Sequence, residues 1–121
     1  MNEMFNIPCL PVAGEDYRNL KDKNFGETLV RNLEISYPLS TPAVKEIRFS
    51  TLYELIDEIR RVYIEIYDEE TKTTTIYQDS ATLLNRGKSN GRYGIWGHDI
   101  EDLVIEMIEI KDNNVNVFIG S

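Results

Sequence analysis

The residues best able to do chemistry gather in one stretch, Asn85-Arg86-Gly87-Lys88-Ser89-Asn90-Gly91-Arg92-Tyr93-Gly94-Ile95-Trp96-Gly97-His98-Asp99-Ile100-Glu101-Asp102. It holds the only histidine, the only tryptophan and four of the seven glycines of the 121-residue chain. His98 beside Asp99, Glu101 and Asp102 has the composition of a base with its orienting acid, or of the start of a His–carboxylate metal site. Neither set is complete. Neighbours on one turn rarely converge on one ion, and the sequence offers no second histidine or cysteine cluster to finish a zinc site. Gly87-Lys88-Ser89 matches the end of a phosphate-binding loop, but the glycine required five positions earlier is Thr82, so the backbone cradle is missing. Cys9 is the only cysteine. It can form no disulfide within the chain and reads as a small buried hydrophobe.

These gaps argue against catalysis and against a bound metal or cofactor, and leave binding as the reading. Arg86, Lys88 and Arg92 offer cations to an anion or a partner carboxylate, although the same residues also suit a solvated glycine loop. Trp96 stands between Gly94 and Gly97, where the backbone can turn around a large ring. It reads first as an anchor in the core, and otherwise, with Tyr93, as an interface hot spot or stacking wall. Asp99 is placed to cap a helical turn, and His98 to hydrogen-bond the loop and fix its exit.

The elements that must position this loop are legible to different degrees. The first 25 residues are mixed, with Pro8 and Pro11 bracketing an extended Cys9-Leu10 and a turn at Gly14-Glu15-Asp16. Leu29, Leu33, Ile35 and Tyr37 mark one face of a strand, with Arg31 as the exception, and Pro38 ends it. Val44–Phe49 reads as a second strand. Thr51-Leu52-Tyr53-Glu54 matches a capping box, and Leu52, Leu55, Ile56 and Ile59 follow at helical spacing. From Val62 to Tyr67 the pattern changes to a two-residue alternation, which predicts a hairpin of residues 62–67 with 73–77 across the polar turn 68–72. Ser80–Asn85 suits a short helix. Residues 99–108 carry both helical spacing and β-branched side chains. The reading adopted is a helical turn at Asp99–Asp102, then a hairpin of 103–111 with 115–119.

Composition bounds the class. A hydrophobic content of 41% with 28% charged residues fits one globular domain spanning 1–121. The formal net charge of −8 argues against nucleic acid, whose binding rests on Lys and Arg neutralising phosphates, and against an anionic membrane surface. Residues 93–121 carry six acids and one base, a net of −5, which could steer a basic partner to the chain. The N-terminus lacks the basic start and apolar run of a signal peptide. No stretch reaches the roughly 18 apolar residues needed to span a bilayer. With the lone cysteine, this predicts a cytoplasmic protein.

The run Tyr93-Gly94-Ile95-Trp96-Gly97-His98-Asp99-Ile100-Glu101-Asp102-Leu103-Val104-Ile105-Glu106, with the ending Phe118-Ile119-Gly120-Ser121, resembles small uncharacterised proteins carried by integron gene cassettes. The resemblance covers about a quarter of the chain. It implies a compact, oligomeric α+β domain of unknown activity and supplies no catalytic residues.

The expected fold is α+β: a mainly antiparallel sheet of five or six strands with one principal amphipathic helix on one face. The expected function is a non-catalytic binding module that acts as a homo-oligomer, with a protein or small-ligand site near residues 86–102. Oligomerisation is expected because the outer faces of the 62–77 hairpin would carry Thr and Tyr instead of Lys and Glu. Two other classes are an acidic immunity or inhibitor protein covering a basic toxin or nuclease, and a small hydrolase- or isomerase-like enzyme built on His98 and its neighbouring carboxylates.

Overall fold

Among the described residues, alternating apolar residues build five strands: β1 (Asn2–Pro11), β2 (Asn24–Ile35), β3 (Ala43–Thr51), β4 (Val104–Lys111) and β5 (Asn114–Gly120). One long helix, α1 (Leu52–Thr73), connects the first three strands to the last two by way of the glycine-rich segment. The structure, a computed structural model, describes residues 2–75 and 88–121. The strands lie in the order β1-β4-β5-β2-β3. Every pairing is antiparallel except that of β5 with β2. This is the α+β architecture read from the sequence.

The C-terminal hairpin forms as expected. Lys111 pairs with Asn114, leaving Asp112-Asn113 as a two-residue turn with Asp112 at φ +55°, a conformation Asp tolerates better than most residues. Ahead of it, Ile100–Asp102 forms a short 3-10 turn. Leu33, Ile35, Ile47, Phe49, Ile108 and Val115 face inward from the sheet and are buried. The sheet also coils. The rings of Phe5 and Phe25 stand 6.0 Å apart although two strands separate β1 from β2, and Lys23 pairs with Glu3 beside them.

The helix starts where the capping box predicts and ends elsewhere. The Thr51 hydroxyl accepts the Glu54 N–H at 3.2 Å, while the Glu54 carboxylate reaches back to the Ser50 N–H at 2.7 Å. Helix then continues through Val62–Tyr67 to Thr73, so the first arm of the expected hairpin is helical, while the second arm, 73–77, lies in part outside the described residues. Ile59, Val62, Tyr63, Ile66 and Glu70 are buried at helical spacing, whereas Ile64, which the alternation assigned to the same face, is 54% exposed. One continuous apolar stripe outweighs a local two-residue repeat. The Thr and Tyr strand faces from which oligomerisation was expected are therefore not present in that form. The expected helix at 80–85 lies outside the described residues.

Helix α1 packs mainly on β3 and also protects that strand's outer edge. Glu58 accepts the Arg48 N–H at 3.3 Å, and Glu54 that of Ser50, so two edge donors that would otherwise template another strand are occupied. At the opposite edge, β1 is interrupted between Asn6 and Leu10, where Cys9 adopts φ +48°. Cys9 is exposed there, not buried as its residue type suggested. A bulge in an edge strand turns the side chain outward. Among the described residues no helix is long and apolar enough to cross a membrane.

Candidate functional site

The glycine-rich segment is organised by Glu70, a residue the sequence placed in a polar turn. Glu70 is the last inward position of α1 and is fully buried. No cation pairs with it among the described residues. Its carboxylate instead accepts the Ser89 hydroxyl and three main-chain N–H groups, from Gly91 at 2.9 Å, Tyr93 at 2.7 Å and Gly94 at 3.2 Å. A carboxylate is all acceptor, and four donors converging on two oxygens satisfy it without a counter-ion. The segment thus wraps its backbone around a charge presented by the helix.

Two further layers fix the wrap. Thr73 Oγ1 accepts the Arg92 N–H at 2.9 Å, and Thr74 Oγ1 that of Asn90 at 3.1 Å, which ties the last helical turn to the loop. On the far side, Trp96 N–H donates to the Pro38 carbonyl at 2.9 Å and Ser40 N–H to that of Gly94 at 2.8 Å. The ring closes on itself where Ser89 N–H meets the Ile95 carbonyl at 2.9 Å and the Ser89 hydroxyl accepts the Ile95 N–H at 2.8 Å. Gly91 is required by space. A Cβ there would lie 2.6 Å from the Glu70 carboxyl carbon and 2.6 Å from Thr73 Oγ1. Gly94 is required by its φ of +66°.

The binding residues expected from sequence fall into different environments. Arg86 lies outside the described residues. Lys88 is exposed, and its ammonium sits 5.5 Å from the centre of the Trp96 ring. Arg92 is bound to Glu69 and holds that carboxyl below the usual carboxylate range. Tyr93 is buried, with its hydroxyl 3.1 Å from Glu69, and burial is the main cause that pushes its phenol upward. Trp96 is 53% exposed, which corrects its reading as the core anchor. Tyr93 and the fully buried Ile95 anchor the loop, and the Trp96 ring points to solvent with one side facing Lys88.

His98 and Asp99 fix the exit of the loop, His98 through its carbonyl and Asp99 as the N-cap of the 3-10 turn, the place expected for it from sequence. The Tyr67 hydroxyl donates to the His98 carbonyl at 2.8 Å, and the Asp99 N–H to the Asp102 carboxylate at 3.2 Å. The His98 ring lies 5.7 Å from that of Tyr37, and its Nδ1 is buried without a partner. Among the described residues no hydrogen bond joins this ring to Asp99, Glu101 or Asp102. No group of three His, Cys, Asp or Glu side chains among the described residues is arranged to hold a metal. Ser89, whose hydroxyl donates to Glu70, is fully buried.

Glu70 was missed because nothing in Asp68-Glu69-Glu70-Thr71-Lys72 distinguishes one acid from the next. The signal was its position seven residues beyond Tyr63 and four beyond Ile66, on the buried stripe of a helix taken to have ended. No protein-family model matches the chain, and no curated protein or solved structure shows significant similarity to it.

Proposed function

We propose that this chain is a non-catalytic binding module whose recognition loop, residues 88–98, presents Trp96 to a protein partner or small ligand. The observation that carries this reading is an exposed tryptophan on a loop whose own polar groups are spent on holding its shape. A large ring displayed on pre-ordered backbone loses little conformational freedom on binding, which is why such positions serve as hot spots. The ammonium of Lys88 beside the ring adds a cation for a ligand or partner that carries an acceptor. Among the described residues the His98 ring engages the aromatic Tyr37 and no carboxylate, which favours binding over an enzymatic role for it.

The reading is tested by immobilising the wild-type chain and its Trp96→Ala variant and comparing what each retains from an extract of the source cells. A component held by the wild type and lost from a folded variant supports it. Equal retention by both chains overturns it. Self-association through this loop would appear as a mass that rises with concentration for the wild type alone.

A further inference from the structure

The face of the sheet turned away from α1 has no element covering it among the described residues. Strand register sets Met4, Glu109, Asn116, Glu34 and Val44 side by side in one row across all five strands. Met107 and Phe118 pair in the next row. Met4, Val44 and Phe118 are 55%, 59% and 44% exposed, so apolar surface is distributed along the whole face.

The carboxylates on this face differ from those on the helix. Along α1, Arg61 ties Glu58 and Glu65, Lys72 ties Asp68 and Arg92 ties Glu69. Glu54 accepts from Ser50, Asp57 from the Tyr17 hydroxyl, and Glu70 from the loop. Every acid of the helix is thus engaged. On the sheet face, Glu34 and Glu106 have neither a cation nor a hydrogen-bond donor among the described residues. Glu109 accepts only the Asn116 side-chain amide, at 3.2 Å. Glu106 lies over Gly120, where an added Cβ would fall 2.5 Å from its Oε2. Of the two cations that the described residues place on this side, Arg48 is drawn to Glu46 at 3.8 Å, which leaves Lys111.

We propose that this face docks a protein partner whose contacting surface is apolar at its centre and rich in Lys and Arg around it. Burial of the Met4, Val44 and Phe118 side chains supplies the non-directional attraction. The uncompensated carboxylates steer and orient a basic surface and reject an acidic one. A second copy of this chain would set Glu34, Glu106 and Glu109 against the same acidic face, so charge selects a basic partner over self-pairing. The inference rests on the binding-module reading and adds a second surface together with the chemistry of its partner.

The test titrates the full-length, isotope-labelled chain with a synthetic amphipathic peptide of leucine and lysine, following backbone amide shifts at low and high salt. The wild type is compared with a Glu34→Gln, Glu106→Gln, Glu109→Gln variant and with Trp96→Ala. All three glutamates lie on the solvent side, so the triple variant keeps the wild-type fold, with shift changes before titration confined to the substituted residues and their neighbours. The proposal expects shifts centred on Met4, Glu34, Val44, Glu109 and Phe118, weakened by salt, with about tenfold weaker binding by the triple variant. Shifts confined to residues 88–98 and lost in Trp96→Ala overturn the sheet-face proposal while leaving the binding-module reading intact. Undiminished binding by the triple variant, or no shifts at all, overturns it too. Shifts on this face that depend on protein concentration without peptide identify a second copy as the occupant and contradict it.

Discussion

The main-chain N–H of Tyr93 donates to the carboxylate of Glu70 at 2.7 Å, across 23 residues of sequence. This bond joins the end of the long helix α1 to a glycine-rich loop of no regular structure. It makes the loop's conformation a property of the core, not of the loop's own sequence. Glu70→Gln keeps the side chain's size but replaces one acceptor oxygen with an amide that points donors at donors. Urea denaturation of this variant is expected to show a loss of about 3 kcal/mol, the scale for leaving buried donors unmet around a charged acceptor. A loss within experimental error would mean that the loop does not depend on this carboxylate.

Two glycines separate the effect of space from that of conformation. Gly91→Ala drives a methyl group into Glu70 and Thr73 and is expected to destabilise the chain by about 2 kcal/mol, as overpacking does. Gly26→Ala meets open space and loses only the freedom to hold φ +86°, which amounts to about 1 kcal/mol. Equal denaturation midpoints for the two variants would contradict the packing of Gly91 on the helix.

Adjacent residues of the loop are expected to behave oppositely. Ile95 is fully buried and Trp96 is not. Ile95→Ala should destabilise by about 3 kcal/mol, and Trp96→Ala should change stability by no more than about 0.5 kcal/mol. Because Trp96 is the only tryptophan, its fluorescence reports this directly. The native chain should emit like a solvent-exposed indole and be quenched by iodide, and a blue-shifted, unquenched emission would place the ring inside.

Tyr17 gives a pH signature independent of the loop. Its hydroxyl donates to Asp57 at 2.5 Å, and this bond, followed by burial and the Asp57 charge, pushes the phenol from 10.0 up to about 12. The folded state therefore holds the proton more tightly than the unfolded chain does. The stabilisation is complete below pH 10 and is lost as pH climbs through about 12. The difference in phenolate absorbance between the wild type and Tyr17→Phe should titrate above the ordinary tyrosine range, and Asp57→Asn should lower that midpoint. A Tyr17 that ionises at the ordinary value in both chains would rule out the hydrogen bond.

Local signals in the sequence located most of the fold. The capping box at Thr51–Glu54, the alternation of β2 and the Asp112-Asn113 turn each act within a few residues, so their physics is visible in the residues themselves. The end of α1 was not legible. Val62, Ile64 and Ile66 alternate like a strand, and only packing reveals that Ile64 faces solvent while Tyr63 is buried. Asp57 and Arg61 stand one helical turn apart, yet tertiary and other helical contacts claim them, since Tyr17 takes Asp57 and Arg61 binds Glu58 and Glu65. Residues 88–98 form an irregular segment, as their glycines suggest, but the residues that anchor it are not the ones expected. Tryptophan is large enough to anchor a core or to be displayed, and the choice fell to its neighbours Tyr93 and Ile95. Glu70 could not be identified without the course of the helix, because burial of one acid among several is decided by the angle it occupies.

The central claim is that Glu70 holds residues 88–96 rigid so that Trp96 is presented in a fixed position. Residue-resolved hydrogen exchange tests this most directly. In the wild type, the amides of Tyr93 and Gly94 should exchange only through global unfolding, as slowly as the central strands, and Glu70→Gln should release them while those strands stay protected. Exchange of the wild-type Tyr93 and Gly94 amides at the rate of an unstructured peptide, beneath a protected sheet, would contradict the account.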